Sequence, residues 1–114
     1  MTDAIVIITT FPDESGATRC ADALVAEGLA ACVQVHGPIR SAFRWQGAVD
    51  HAVEWYCQVK TSRGRYPAVE QRIRALHPYE VPEIISLPVV EGNPAYLRWV
   101  EESVADTDGD PRRF

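Results

Sequence analysis

Long runs of one kind of residue are missing from this sequence. No basic run is longer than the Arg112-Arg113 pair, and 11 Lys+Arg face 16 Asp+Glu, for a formal net charge of -5 at pH 7. The chain therefore lacks the basic surface with which proteins usually hold nucleic acid or anionic lipid, and neither partner is expected. No apolar stretch approaches the roughly 20 residues needed to cross a bilayer as a helix. Met1-Thr2-Asp3-Ala4 has no basic residue and leads to no small-residue cleavage site, so it does not read as a secretory signal. The expected location is cytoplasmic. Cysteine is scarce too: Cys20, Cys32 and Cys57 are odd in number, widely spaced and without a Cys-x-x-Cys pair. They form no disulfide framework and are expected as small buried hydrophobes.

The common chemical motifs are also missing. There is no Gly-rich phosphate loop, no Gly-x-Ser-x-Gly and no His-Glu-x-x-His. Cys32 and His36 share one face of a strand, but four residues of extended chain separate them by about 13 Å, too far to pair. The expectation is a binding protein, not an enzyme, with no obligatory cofactor.

What is present is one globular domain. The 114 residues are 46% hydrophobic, enough for a single core and too few for two. Ile5 to Thr10 is a β-branched run that reads as a buried strand. Asp13 or Ser15 can cap the helix that follows, whose Ala17, Ala21, Leu24, Val25 and Leu29 recur at helical spacing, with Gly28 as its stop. Ala31 to His36 is a second strand, interrupted by Gly37-Pro38 and resumed from Ile39 to Trp45. Gln46-Gly47 marks a hairpin turn. From Val49 to Lys60 the odd and even positions alternate between two faces, the period of a half-buried strand. Both arms are longer than a small sheet requires, and a projecting two-stranded ribbon is marginal alone.

Pro67 suits the first turn of a helix whose face is Tyr66, Val69, Ile73 and Leu76, and Pro78 ends it. Glu83 to Val90 is the last strand, and its prolines suggest an edge position or a bulge. A short helix follows Gly92-Asn93-Pro94. The order β-α-β-β-α-β plus a small helix is the ferredoxin-like α+β sandwich. The domain is expected over residues 1-104, with a polar tail over 105-114. Both main helices should cover one sheet face, which leaves the other for a second subunit.

Six blocks carry a family resemblance. They are Thr9-Thr10-Phe11-Pro12-Asp13-Glu14, Gly28-Leu29-Ala30-Ala31-Cys32-Val33, Phe43-Arg44-Trp45-Gln46-Gly47, Val59-Lys60-Thr61, the run from Leu76-His77-Pro78-Tyr79 to Ile84, and Gly92-Asn93-Pro94 followed by Tyr96, Leu97 and Trp99. In order and at family spacing they resemble the CutA family of divalent-cation-tolerance proteins. The resemblance implies a tight homotrimer, a response to divalent metal ions, chiefly copper, and a structural likeness to the PII signalling trimers. The family's copper ligands fall on Thr9, Leu76 and His77, of which only His77 is a good ligand for Cu(II). His77 is thus the one metal candidate; as a plain structural residue it would end a helix and complement its negative C-terminal end. Cys32, Trp45, Glu54, Lys60 and Tyr79 are the other candidates, as lining for a cleft between subunits. Their plain readings are packing for the aromatics and an ion-pair position for Glu54 and Lys60. The rival reading is a PII-like signalling or scaffolding trimer that holds a small molecule or partner protein in those clefts.

Overall fold

A computed structural model describes residues 2–105. Its elements are β1 (Ala4–Phe11), α1 (Glu14–Ala26), β2 (Cys32–Trp45), β3 (Ala48–Ser62), a 3-10 turn (Arg63–Arg65), α2 (Tyr66–Leu76), β4 (Ile84–Pro88) and α3 (Pro94–Ser103). The strands form one antiparallel sheet in the order β2-β3-β1-β4, the ferredoxin-like arrangement expected from the sequence. Strand β4 is an edge, as its prolines require.

Local chemistry sets the element ends. The Asp13 carboxylate accepts the Gly16 amide at 2.6 Å and so caps α1. Beyond the helix, Gly28 takes φ 72, the left-handed region that stops a helix without a Cβ penalty. Helix α2 starts with Pro67 in its first turn and ends at Leu76, because His77 is extended ahead of Pro78. The β2–β3 turn places Gln46 at φ 51 and Gly47 at φ 81, the pair of positive φ values that a two-residue hairpin of matching twist needs.

The break expected at Gly37-Pro38 is milder than a strand end. Strand β2 runs through it as one element, with a register shift between His36 and Ile39 and a cis Gly37-Pro38 peptide. A Cβ on Gly37 would meet Trp55 Cδ1 at 2.6 Å, so the indole lies where only glycine leaves room.

The core fills the space between the helices and one sheet face. Ile5, Ile7 and Phe11 from β1, Cys57 and Val59 from β3, Ala17, Cys20 and Leu24 from α1, and Val69 and Ile73 from α2 make one buried cluster. Side chains at the alternate positions leave the opposite face. There Ile85 and Leu87 of β4 are exposed. Helix α3, capped by Asn93 on the Ala95 amide, packs against β1 and β3 and buries Val100. Of the expected tail, residues 106–114 lie outside the described residues.

Candidate functional site

The polar residues buried near the end of β1 centre on Thr10. Its backbone carbonyl lies 2.6 Å from His77 Nε2, while the Tyr79 amide donates to His77 Nδ1 at 3.1 Å. A carbonyl can only accept and an amide can only donate. His77 is therefore a neutral imidazole with its proton on Nε2, and both ring nitrogens are in use. The ring stacks on Phe11 at 4.3 Å between centroids and meets Tyr79 at 4.9 Å. The Thr10 hydroxyl, on the opposite sheet face from Phe11, donates to Glu54 Oε2 at 3.3 Å. Glu54 is only 8% exposed, whereas Tyr79 is 41% exposed and forms the outer side of the group.

Strand pairing explains the convergence. Thr10 lies opposite Tyr56 in the β1–β3 register, so the side chain two residues before Tyr56, Glu54, is its diagonal neighbour on the same face. The turn after α2 then brings His77 and Tyr79 back over the end of β1. The electrostatic consequence is visible at Tyr79. Its hydroxyl is pushed above the usual phenol range by burial first, then by the negative charges of Glu54 and Asp13.

Of the residues expected from the sequence, Glu54, His77 and Tyr79 come together. Cys32 and Lys60 form a second place. They are cross-strand partners on β2 and β3, and Lys60 Nζ donates to Gln34 Oε1. Six residues of strand, roughly 20 Å, separate Lys60 from Glu54. Trp45 is a third place, at the far end of the hairpin and 58% exposed. Within one chain these residues do not line a single cleft. Sequence reading passed over Thr10 and Phe11 as site residues, although both stand in the Thr9-to-Glu14 block.

The positions that the family resemblance marks as copper ligands have their own surroundings. Thr9 is fully buried and alternates with Ile7 and Phe11 toward the helices; its Oγ1 has no hydrogen-bond partner. Leu76 packs against the core. Among the described residues no group of three or more His, Cys, Asp or Glu side chains is arranged to hold a metal ion. Nor is any described helix long and apolar enough to cross a membrane.

Comparison with known proteins gives one answer. The family model described as CutA1 divalent ion tolerance protein matches residues 5–103. The chain is 46% identical over 98 residues to the divalent-cation tolerance protein CutA of Thermus thermophilus, covering 86% of this chain and 95% of that one. It is 42% identical over 93 residues to protein CutA of Mus musculus, covering 82% of this chain but only 52% of the mouse protein. The chain thus spans the bacterial relative and about half the length of the animal one. Among solved structures, the Thermus thermophilus protein superposes with a TM-score of 0.88 at 44% identity, covering 90% of this chain and 99% of that chain. A protein described as the periplasmic divalent cation tolerance protein CutA from Archaeoglobus fulgidus superposes with a TM-score of 0.85 at 35% identity, covering 89% of this chain and 98% of that chain.

Proposed function

The chain belongs to the CutA1 divalent ion tolerance family, and from that premise we propose that it works as a homotrimer that binds Cu(II), or a similar divalent cation, weakly and without enzymatic chemistry. The observation that carries the assembly is the set of large apolar side chains left in water by a single chain. Phe43, Trp45, Val49 and Val53 on the hairpin, and Ile85 and Leu87 on the edge strand, are all at least 40% exposed. They lie on both faces of the hairpin and on the opposite sheet edge, and large apolar side chains left open in this number support association. The cytoplasm is the proposed compartment; relatives described as chloroplastic and periplasmic make the compartment a property of each protein.

His77 is the proposed ligand. Its Nδ1 can reach a metal only by releasing the Tyr79 amide, and its Nε2 only by releasing the Thr10 carbonyl. The Tyr79 side is the outer one, so Nδ1 is the route we favour. Losing a hydrogen bond of about 1 kcal/mol works against binding. Calorimetry of the metal-stripped protein with Cu(II), beside His77→Ala checked for native circular dichroism, tests this. We expect weak heats from the parent and a loss in the variant; equal heats from both remove His77 from the site.

The absence of a three-ligand group among the described residues favours a second reading. In it the trimer is a PII-like signalling or scaffolding module, and the clefts between subunits hold a small molecule or partner protein. A thermal-shift response confined to metal ions counts against that reading.

A further inference from the structure

Glu54 is a carboxylate largely removed from water, with one hydrogen bond in its place. It is more than nine-tenths buried. Its single hydrogen bond is the long one from Thr10 to Oε2, and no ion pair to it exists among the described residues. A carboxylate can accept about four hydrogen bonds, and burying one without a charge partner is costly. Thr10 ties it to the end of β1, where the Thr10 carbonyl meets His77 and the His77 ring meets the more exposed Tyr79. Burial first, and then the negative charges of Glu54 and Asp13, push the Tyr79 hydroxyl upward.

A carboxylate beside an accessible aromatic face is the donor set for an organic cation, which takes a charge-assisted hydrogen bond from one and cation–π attraction from the other. It is a poor set for a metal ion, which needs several converging ligands. Both nitrogens of His77 are already occupied. We propose that the pocket formed by Glu54, Thr10 and Tyr79 receives a guanidinium or ammonium group.

Two sources supply that chemistry. One is a second copy of this chain. Arg40 and Arg44 on the hairpin are exposed and have no hydrogen bond or ion pair among the described residues. In their own chain they cannot serve, because Arg40 pairs with Val53 and leaves the sheet on the face opposite Glu54. The other source is a free cation from solution. The second-copy source rests on the trimer proposed above; the free cation does not.

The test measures two properties of the parent, Glu54→Gln, Tyr79→Leu and the double variant Arg40→Gln/Arg44→Gln. They are the assembly constant by analytical ultracentrifugation, and binding of methylguanidinium chloride against sodium chloride at equal ionic strength. With a second-copy source, Glu54→Gln and the double arginine variant each weaken assembly about tenfold or more, as loss of a partner from a buried charge pair does, and their effects do not add. With a free source, methylguanidinium binds the parent saturably, Glu54→Gln abolishes binding, Tyr79→Leu weakens it, and assembly is unchanged. Should Glu54→Gln fail to fold, Glu54→Asp, which withdraws the charge by one methylene, takes its place. Weakened assembly in Glu54→Gln but not in the arginine variant overturns the second-copy source. A folded Glu54→Gln or Glu54→Asp that alters neither property overturns the proposal. A monomeric parent that still binds methylguanidinium overturns the trimer and leaves this pocket standing.

Discussion

The two halves of the β2–β3 ladder have the same pattern and opposite fates. Near the sheet, Cys57, Val59 and Thr61 of β3 are buried under α1 and α2. Toward the turn, Val49 and Val53 continue the same alternation on the same strand, yet both are more than half exposed. On β2, Phe43 and Trp45, which pair with Asp50 and Ala48 and so share the opposite face, are exposed as well. Alternation alone thus decides that a strand forms and which side chains share a face. Whether that face is dry depends on what lies over it, and the helices reach only the near half. The far half presents an apolar surface for which this chain has no cover.

The largest expected effect opposes these halves directly. Ile73 of α2 is fully buried in the core, so Ile73→Ala should lower unfolding free energy by about 2–5 kcal/mol. Trp45→Ala, on the open half, should change the stability of the dissociated chain by less than about 0.5 kcal/mol while weakening assembly. Chemical denaturation at concentrations above and below the association midpoint separates the two. If Trp45→Ala destabilises the dilute chain as much as Ile73→Ala does, the far half is held by its own chain and the contrast fails.

Much of this was legible before any coordinates. The β-α-β-β-α-β order, the Asp13 cap, the Gly28 stop, the Gln46-Gly47 turn and the edge position of β4 all follow from short-range chemistry that one sequence displays. The site was legible only in pieces. Thr10 and Glu54 meet across 44 residues, and Thr10 and His77 across 67. Those meetings depend on the β1–β3 register and on where the turn after α2 lands. A single sequence does not display either. The five cleft candidates and His77 looked like one group because family position was the only guide; pairing spreads them over three places, two on the hairpin and one where Glu54 meets the turn after α2.

The cysteines sharpen the contrast at a middle scale. Burial raises Cys20 to about 12, with the nearby Cys57 thiol adding to the rise, and burial raises Cys57 to about 11. Their ordinary value of 9.0 applies in the unfolded chain. Folding therefore holds these protons more tightly, so the contribution is complete below pH 9.0 and is lost as pH climbs toward 11 and 12. Denaturant midpoints should fall across that window. Iodoacetamide at pH 8 should label Cys32, which is half-buried near the sheet edge, and spare Cys20 and Cys57 until the chain unfolds. Early labelling of either buried thiol would mean that the helix-covered half opens as readily as the other.

The smallest effect concerns Thr9, which the family resemblance marks as a copper-ligand position and the fold places in the core. Thr9 stands opposite Cys57 on the helix-covered face, and its buried Oγ1 meets no partner. An orphaned buried hydroxyl carries a desolvation penalty that an apolar group of the same shape avoids. Thr9→Val should therefore raise stability by about 1 kcal/mol, seen as a higher urea midpoint with an unchanged slope. It should leave the heat of Cu(II) binding unaltered, because a side chain sealed beneath α1 and α2 cannot meet an ion arriving at the Tyr79 side of His77. A gain in stability with unchanged heats would place metal chemistry, like assembly, on the open side of the molecule. A loss of Cu(II) binding in Thr9→Val would instead show that the closed side opens to admit the ion, and the division between the two faces would no longer hold.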